Sequence, residues 1–122
     1  VMEVAATPGE RQFGLSGRSG LAPYAGMLFY FGIGEATGLW MKGMRFDLDF
    51  IWVGPGCTVV DMHQNVPAPT GPDDPMPTYR PSTEAAGVIE IAAGGVHALG
   101  IERGDRVRYG PSRSGFKYGC EG

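Results

Sequence analysis

The chain has 122 residues, 43% of them hydrophobic and 19% charged, and a formal net charge of −3. This describes one globular domain and excludes a disordered chain, while the acidic balance argues against a nucleic-acid binder. No apolar run approaches the roughly 18–20 residues of a membrane-spanning helix; 21 glycines and 10 prolines without a triplet period exclude collagen and point to short strands joined by turns.

In chain order, "VMEVA" alternates as a strand. The chain begins in mid-strand with no signal peptide legible, so a trimmed or mature form is expected. In "TPGERQFGLSGR", Thr7, Pro8 and Glu10 make a capping box that predicts a short helix, with Gly17 as its stop. "GMLFYF" at 26–31 is a nearly continuous apolar run, expected as a central strand. "LWMKGM" and "RFDLDFIWV" read as one long strand kinked at Gly43, or as two. "GPG" at 54–56 is a turn, and "CTVVDMHQNV" returns as the next strand. Residues 67–83 hold six prolines in seventeen positions, a stiff surface loop that is a candidate lid. "AGVIEIA" is another buried strand, "GGVHALG" one or two helical turns, and "IERGDRVRY" a last strand after the Gly104–Asp105 turn. The expectation is a mainly β fold, a sandwich or partly open barrel of about seven strands with two short helices. Residues 1–110 would form one domain and 111–122 a tail. Cys57 and Cys120 make a disulfide arithmetically possible, and the sequence leaves it open.

Three features carry candidate chemistry. If the hairpin turns so that Val53 pairs with Cys57, Asp49 faces Asp61 and Asp47 faces His63. That face would hold donors suited to a hard divalent cation or to acid–base work, whereas a one-residue slip would scatter them. The plainer reading is a solvated face with ion pairs around Arg45. Secondly, Trp40, Met41 and Met44 belong to a set of methionines and tryptophans that either fills a core or lines an adaptable groove. Alternation sends Trp40 and Lys42 to one side and Met41 to the other. Thirdly, Arg11, Gly14, Leu15 and Arg18 share a helical face. The arginines there either pair with carboxylates such as Asp49 or Glu90, or hold an anionic ligand. No phosphate loop, dinucleotide fingerprint, nucleophile elbow or zinc-like cysteine spacing is present.

The order and spacing of "ERQFGLSGR…L", "GMLFYF", "WMKGM", "LDFIW", "VVDMH", "VIEIAAGG" and "LGIERGDRV" resemble the prokaryotic family called domain of unknown function 192 over residues 3–109. The chain departs from that pattern at Ser16, where methionine is usual, and at Gly43 and Met44, where asparagine and threonine are usual. The resemblance implies a compact β fold and, in many members, an export signal ahead of the domain. It implies no established activity.

The function expected is a small extracytoplasmic, non-catalytic binding module. Its cleft would be lined by Arg11, Arg18, Trp40, Met41, Lys42 and Asp49 and take a small anionic ligand or peptide. No cofactor and no tightly held metal are expected. The alternatives are a metal-assisted enzyme using Asp47, Asp49, Asp61 and His63, and a family motif that only determines the fold. Asp49 is expected to be partly buried and paired with Arg11, Arg18 or Lys42, because Leu48 and Phe50 pull its backbone into the core.

Overall fold

A computed structural model describes residues 2–5, 10, 14–22, 25–31, 38–71, 73–74, 76–109 and 120. The apolar runs become strands: β1 (Met2–Ala5), β2 (Gly26–Tyr30), β3 (Leu48–Val53), β4 (Val59–Val66) and β5 (Gly87–Ala92). They form one sheet in the order β1-β2-β5-β3-β4. β1 lies parallel to β2, and every other pair is antiparallel. The architecture is therefore a single open sheet, not a sandwich or barrel. Among the described residues it has five strands in place of seven, and one helix, α1 (Gly95–Leu99).

β3 and β5 lie inside the sheet, which explains their lack of polar–apolar alternation: both of their faces are covered. On one face Phe50, Trp52, Val88, Met27 and Phe29 meet the buried side chains of Leu15, Met41 and Met44. On the other, Ile51, Val59 and Ile91 meet Val96 of α1, with Ile101 and Val107 packed alongside.

Two expected strands are not formed. Residues 39–47 make no strand: Met44 N–H closes a turn on the Met41 carbonyl at 3.0 Å. Gly43 sits in that turn at φ 77°, a left-handed conformation that costs glycine least. Among the described residues, the segment after Gly104 makes no strand but an isolated bridge, Thr58 with Arg106, flanked by backbone bonds between Val59 and Asp105 and between Val107 and Cys57. The helix expected from Thr7 falls mainly on residues outside those described. Within it, the Gly14 N–H donates to the Glu10 carbonyl at 2.9 Å, a helical i to i−4 bond. Cys57 and Cys120 are joined by a disulfide with Cα atoms 5.5 Å apart, so the far end of the expected tail is tied to the β3–β4 turn.

Candidate functional site

The covered face of the sheet is roofed by three segments. Residues 14–18 and 41–44 lie against each other: Gly17 N–H donates to the Gly43 carbonyl at 2.9 Å, and Ser16 Oγ donates to the Lys42 carbonyl at 3.2 Å. A Cβ added to Gly43 would stand 3.2 Å from the Ser16 Cβ. The two places where the chain departs from the pattern it resembles are thus in contact, with small residues on both sides. The third segment is the proline-rich loop, locked to Leu39 by reciprocal backbone bonds with Tyr79 at 2.8 and 2.7 Å.

The backbone around this isolated bridge has an inner and an outer side. Leu39 and Tyr79 pack toward the core, and Met41 is only 3% exposed. Trp40, 54% exposed, points outward. Lys42 Nζ lies 5.2 Å from the centre of its ring, within cation–π range. The expected split between Trp40 and Lys42 on one side and Met41 on the other is therefore observed. Across the bridge, a Cβ on Gly38 would collide with Thr78 Cγ2 and stand 3.3 Å from Arg80 Cγ and Cζ, so the bare glycine makes room for these two side chains of the proline loop. The approach of Arg80 to Gly38 is not legible in the sequence, because only the Leu39–Tyr79 bridge brings them together.

The other candidates are placed elsewhere. Arg18 is half-buried on the 14–18 segment, and Arg11 lies outside the described residues. Asp49 is fully buried on the opposite face of the sheet, against α1. It is buried completely where partial burial was expected, and among the described residues its partners are not cations. Oδ1 accepts the Asn65 N–H at 2.8 Å and Oδ2 accepts the Val96 N–H at 2.9 Å. It cannot line a cleft with Trp40 and Lys42.

The carboxylate–histidine cluster fails through register. Phe50, not Asp47, pairs with His63, and Trp52, not Asp49, pairs with Asp61. Irregularities between Leu48 and Phe50 and between Trp52 and Val53 insert extra residues into β4. Asn65 has φ 55° at the first of these, which fits its N–H reaching Asp49. Each group then has its own task. Asp47 accepts the Ala68 N–H at 2.8 Å and holds the start of the proline loop. Asp61 accepts the Met62 and Ser82 N–H groups, each at 2.8 Å, and Arg103 Nη2 at 2.7 Å. Burial works to raise the Asp61 pKa, but the Ser82 and Met62 bonds and the Arg103 charge together hold it below the ordinary value. His63 Nδ1 accepts the Trp52 indole N–H at 2.9 Å, within an edge-on aromatic group with Phe50 and Tyr79. Among the described residues, no three His, Cys, Asp or Glu side chains gather as a metal site.

One further carboxyl stands out. Glu90, 5% exposed, pairs in register with Met27 on one side and Phe50 on the other, so it shares their face beneath the roof. Among the described residues it makes no hydrogen bond or ion pair, and since none of their fully buried side-chain oxygens lacks a partner, its carboxyl is not wholly shut off from water. Burial alone pushes its carboxyl up to about 8. The sequence signal was a lone charge inside the apolar run "VIEIA".

Residues 1–109 match the family DUF192, described as "Uncharacterized ACR, COG1430". Two crystal structures are similar. One, from Sinorhizobium meliloti 1021, bears the description "putative transcription regulator"; it is 33% identical, with TM-score 0.71, and the match covers 86% of this chain and 78% of that one. The other, a protein of unknown function from Novosphingobium aromaticivorans DSM 12444, is 29% identical, with TM-score 0.77, covering 88% and 74%. No curated protein matches the chain.

Proposed function

The chain belongs to the family DUF192, and on that footing we propose that it is a small extracytoplasmic binding module whose recognition surface is the Trp40–Lys42 segment. The observation that carries this reading is the outward indole of Trp40 with the Lys42 ammonium over its ring. A soluble domain seldom leaves a tryptophan so exposed without a partner for it. The aromatic face supplies apolar area, and Lys42 supplies charge beside it. That combination suits a small anionic ligand with an apolar part, or the acidic end of a peptide. The Cys57–Cys120 disulfide supports an oxidising compartment. The transcription-regulator description of the Sinorhizobium meliloti protein is not adopted, since the net charge of −3 offers no general attraction to a phosphate backbone. Catalysis is not proposed, because the acidic groups of the β3–β4 hairpin are individually occupied by backbone amides and Arg103.

The test is calorimetric titration with a short peptide ending in Asp-Glu after an aromatic residue, with inorganic phosphate alongside. Binding of the peptide, weakened about tenfold or more by Lys42→Ala and by Trp40→Ala, is the expected result. Peptide binding that is indifferent to both substitutions, or absent altogether, would remove the basis for the proposal.

A further inference from the structure

The turn joining β3 to β4 puts a cysteine where its backbone favours glycine. Cys57 N–H donates to the Gly54 carbonyl at 3.0 Å, and Gly54 N–H donates to the Thr58 carbonyl at 2.9 Å. This is the pattern of a three-residue connection, Pro55-Gly56-Cys57, whose last residue is left-handed. Glycine suits that place because a Cβ there crowds the backbone. Here it is Cys57, at φ 61°, and the same residue carries the disulfide to Cys120. Both cysteines are half-buried. A disulfide set on a disfavoured backbone and within reach of solvent is of the labile kind.

The two cysteines also hold the chain that follows α1. Val107 N–H donates to the Cys57 carbonyl at 2.8 Å, and Tyr109 N–H to the Cys120 carbonyl at 3.0 Å. Beside them Val59 N–H donates to the Asp105 carbonyl at 2.9 Å and Gly104 N–H to the Val59 carbonyl at 2.8 Å. Residues 104–109 thus form a strap over the start of β4, which is an edge strand of the sheet. The side chains give this strap little hold of its own. Gly104, Asp105, Arg106 and Arg108 are exposed, and half-buried Val107 packs beside Ile51 and Val59. The neighbouring Arg103–Asp61 ion pair stands in solvent on the arginine side, which is 64% exposed, so it holds weakly. A covalent tie across a sequence separation of 63 is the stronger restraint, since its effect grows with the ring it closes.

We propose that the Cys57–Cys120 disulfide is a redox-sensitive clasp: reduction by a dithiol frees residues 104–109 from β4 and opens that edge of the sheet, and reoxidation closes it. One thiolate of the dithiol attacks a sulfur of the bond, and the other cysteine leaves as a thiolate and takes up a proton. The second thiol of the reductant then displaces the first cysteine from the mixed disulfide. Two electrons and two protons pass to the protein as two thiols, and the dithiol becomes a disulfide. Opening leaves the Val59 N–H and carbonyl to water, on a strand whose other edge stays paired with β3. In the oxidising compartment proposed above the clasp stays closed until a dithiol reaches it. It does not depend on what Trp40 and Lys42 bind.

Reduction of the full chain under native conditions, followed by NMR amide exchange, tests this. Dithiothreitol should reduce the bond and open both cysteines to alkylation, read by mass spectrometry, while the β3 and β5 amides keep their protection. The Val59, Val107 and Tyr109 amides should lose protection by about tenfold or more and regain it on reoxidation. Cys57→Ser combined with Cys120→Ser should show the open pattern without reductant and ignore its addition. Cys57→Gly combined with Cys120→Ser separates the clasp from the turn: glycine relieves the backbone, yet the strap amides should stay fast. A bond that resists dithiothreitol until β3 and β5 unfold overturns the clasp. So does reduction that leaves Val59 and Val107 protected, reduction that exposes β3 and β5 as well, or strap protection restored by Cys57→Gly. If the variants do not fold, the oxidised and reduced wild-type chains decide alone.

Discussion

Asp49 and Glu90 sit on adjacent strands, each almost or wholly removed from water, yet they face opposite sides of the sheet and meet opposite fates. On the helix side, one Asp49 oxygen takes the Val96 N–H at the start of α1 and the other takes the Asn65 N–H turned inward by the β4 irregularity. On the roofed side, Glu90 has Met27 and Phe50 as neighbours and no donor among the described residues. The lesson is that burial does not assign a role to a carboxyl. The donors that arrive with it do: two backbone amides make Asp49 a fastener between β3, β4 and α1, and their absence makes Glu90 a group whose charge the fold resists.

The comparison breaks most directly at Asp49. Asp49→Ala leaves two N–H groups without their acceptor and should cost about 3–4 kcal/mol in urea unfolding. A loss below about 1 kcal/mol would mean that water replaces the carboxylate and that the fastener is dispensable. Next comes Glu90→Gln, which sharpens the contrast through pH. The folded pKa of Glu90 lies above its ordinary value, so its favourable contribution is complete below pH 4.5 and is lost as pH rises toward about 8. Wild-type stability should decline across that window by on the order of 2–3 kcal/mol, and Glu90→Gln should be flatter and the more stable protein at pH 8–9. Parallel curves for the two proteins would refute the assignment. A smaller effect is expected at His63, which gives buried Trp52 the partner that Glu90 lacks on the same face. His63→Ala should cost about 1–2 kcal/mol for the unmatched indole N–H, with a change in near-ultraviolet circular dichroism. Smallest of all, Trp40→Ala should move the melting midpoint by the equivalent of less than about 0.5 kcal/mol. A larger loss would show that the indole belongs to the core and not to a recognition surface.

Much of this contrast was legible in the sequence. Apolar runs marked β2, β3 and β5, and flanking Leu48 and Phe50 pointed to partial burial of Asp49, which is complete in the fold. The alternation of residues 40–42 foretold which side chains face out. What was not legible depends on places where strand periodicity breaks. Two irregularities in the hairpin move Asp61 and His63 opposite Trp52 and Phe50, and a left-handed Gly43 ends the supposed long strand before Leu48. Pairing of Asp49 with a cation was a reasonable electrostatic guess. It failed because backbone amides, which no residue pattern advertises, reached the site first. Arg80 escaped notice because its approach needs both the Leu39–Tyr79 bridge and the bare Gly38.

The disulfide has a mechanical meaning. Residues 57–120 form a covalent ring that includes both β4 and β5, the two strands hydrogen-bonded to either edge of β3. A molecule pulled from its two ends cannot pay out the chain inside that ring. Under oxidising conditions its extended contour is confined to the residues outside the ring plus the short bridge, at roughly 3.3–3.6 Å per residue. Reduction would release the 63-residue separation between the cysteines as a second length of roughly 200 Å. In a force-extension record the redox state of one bond would thus appear as a change of rope length, with β3 held on both flanks by parts of the same loop until its ladders give way.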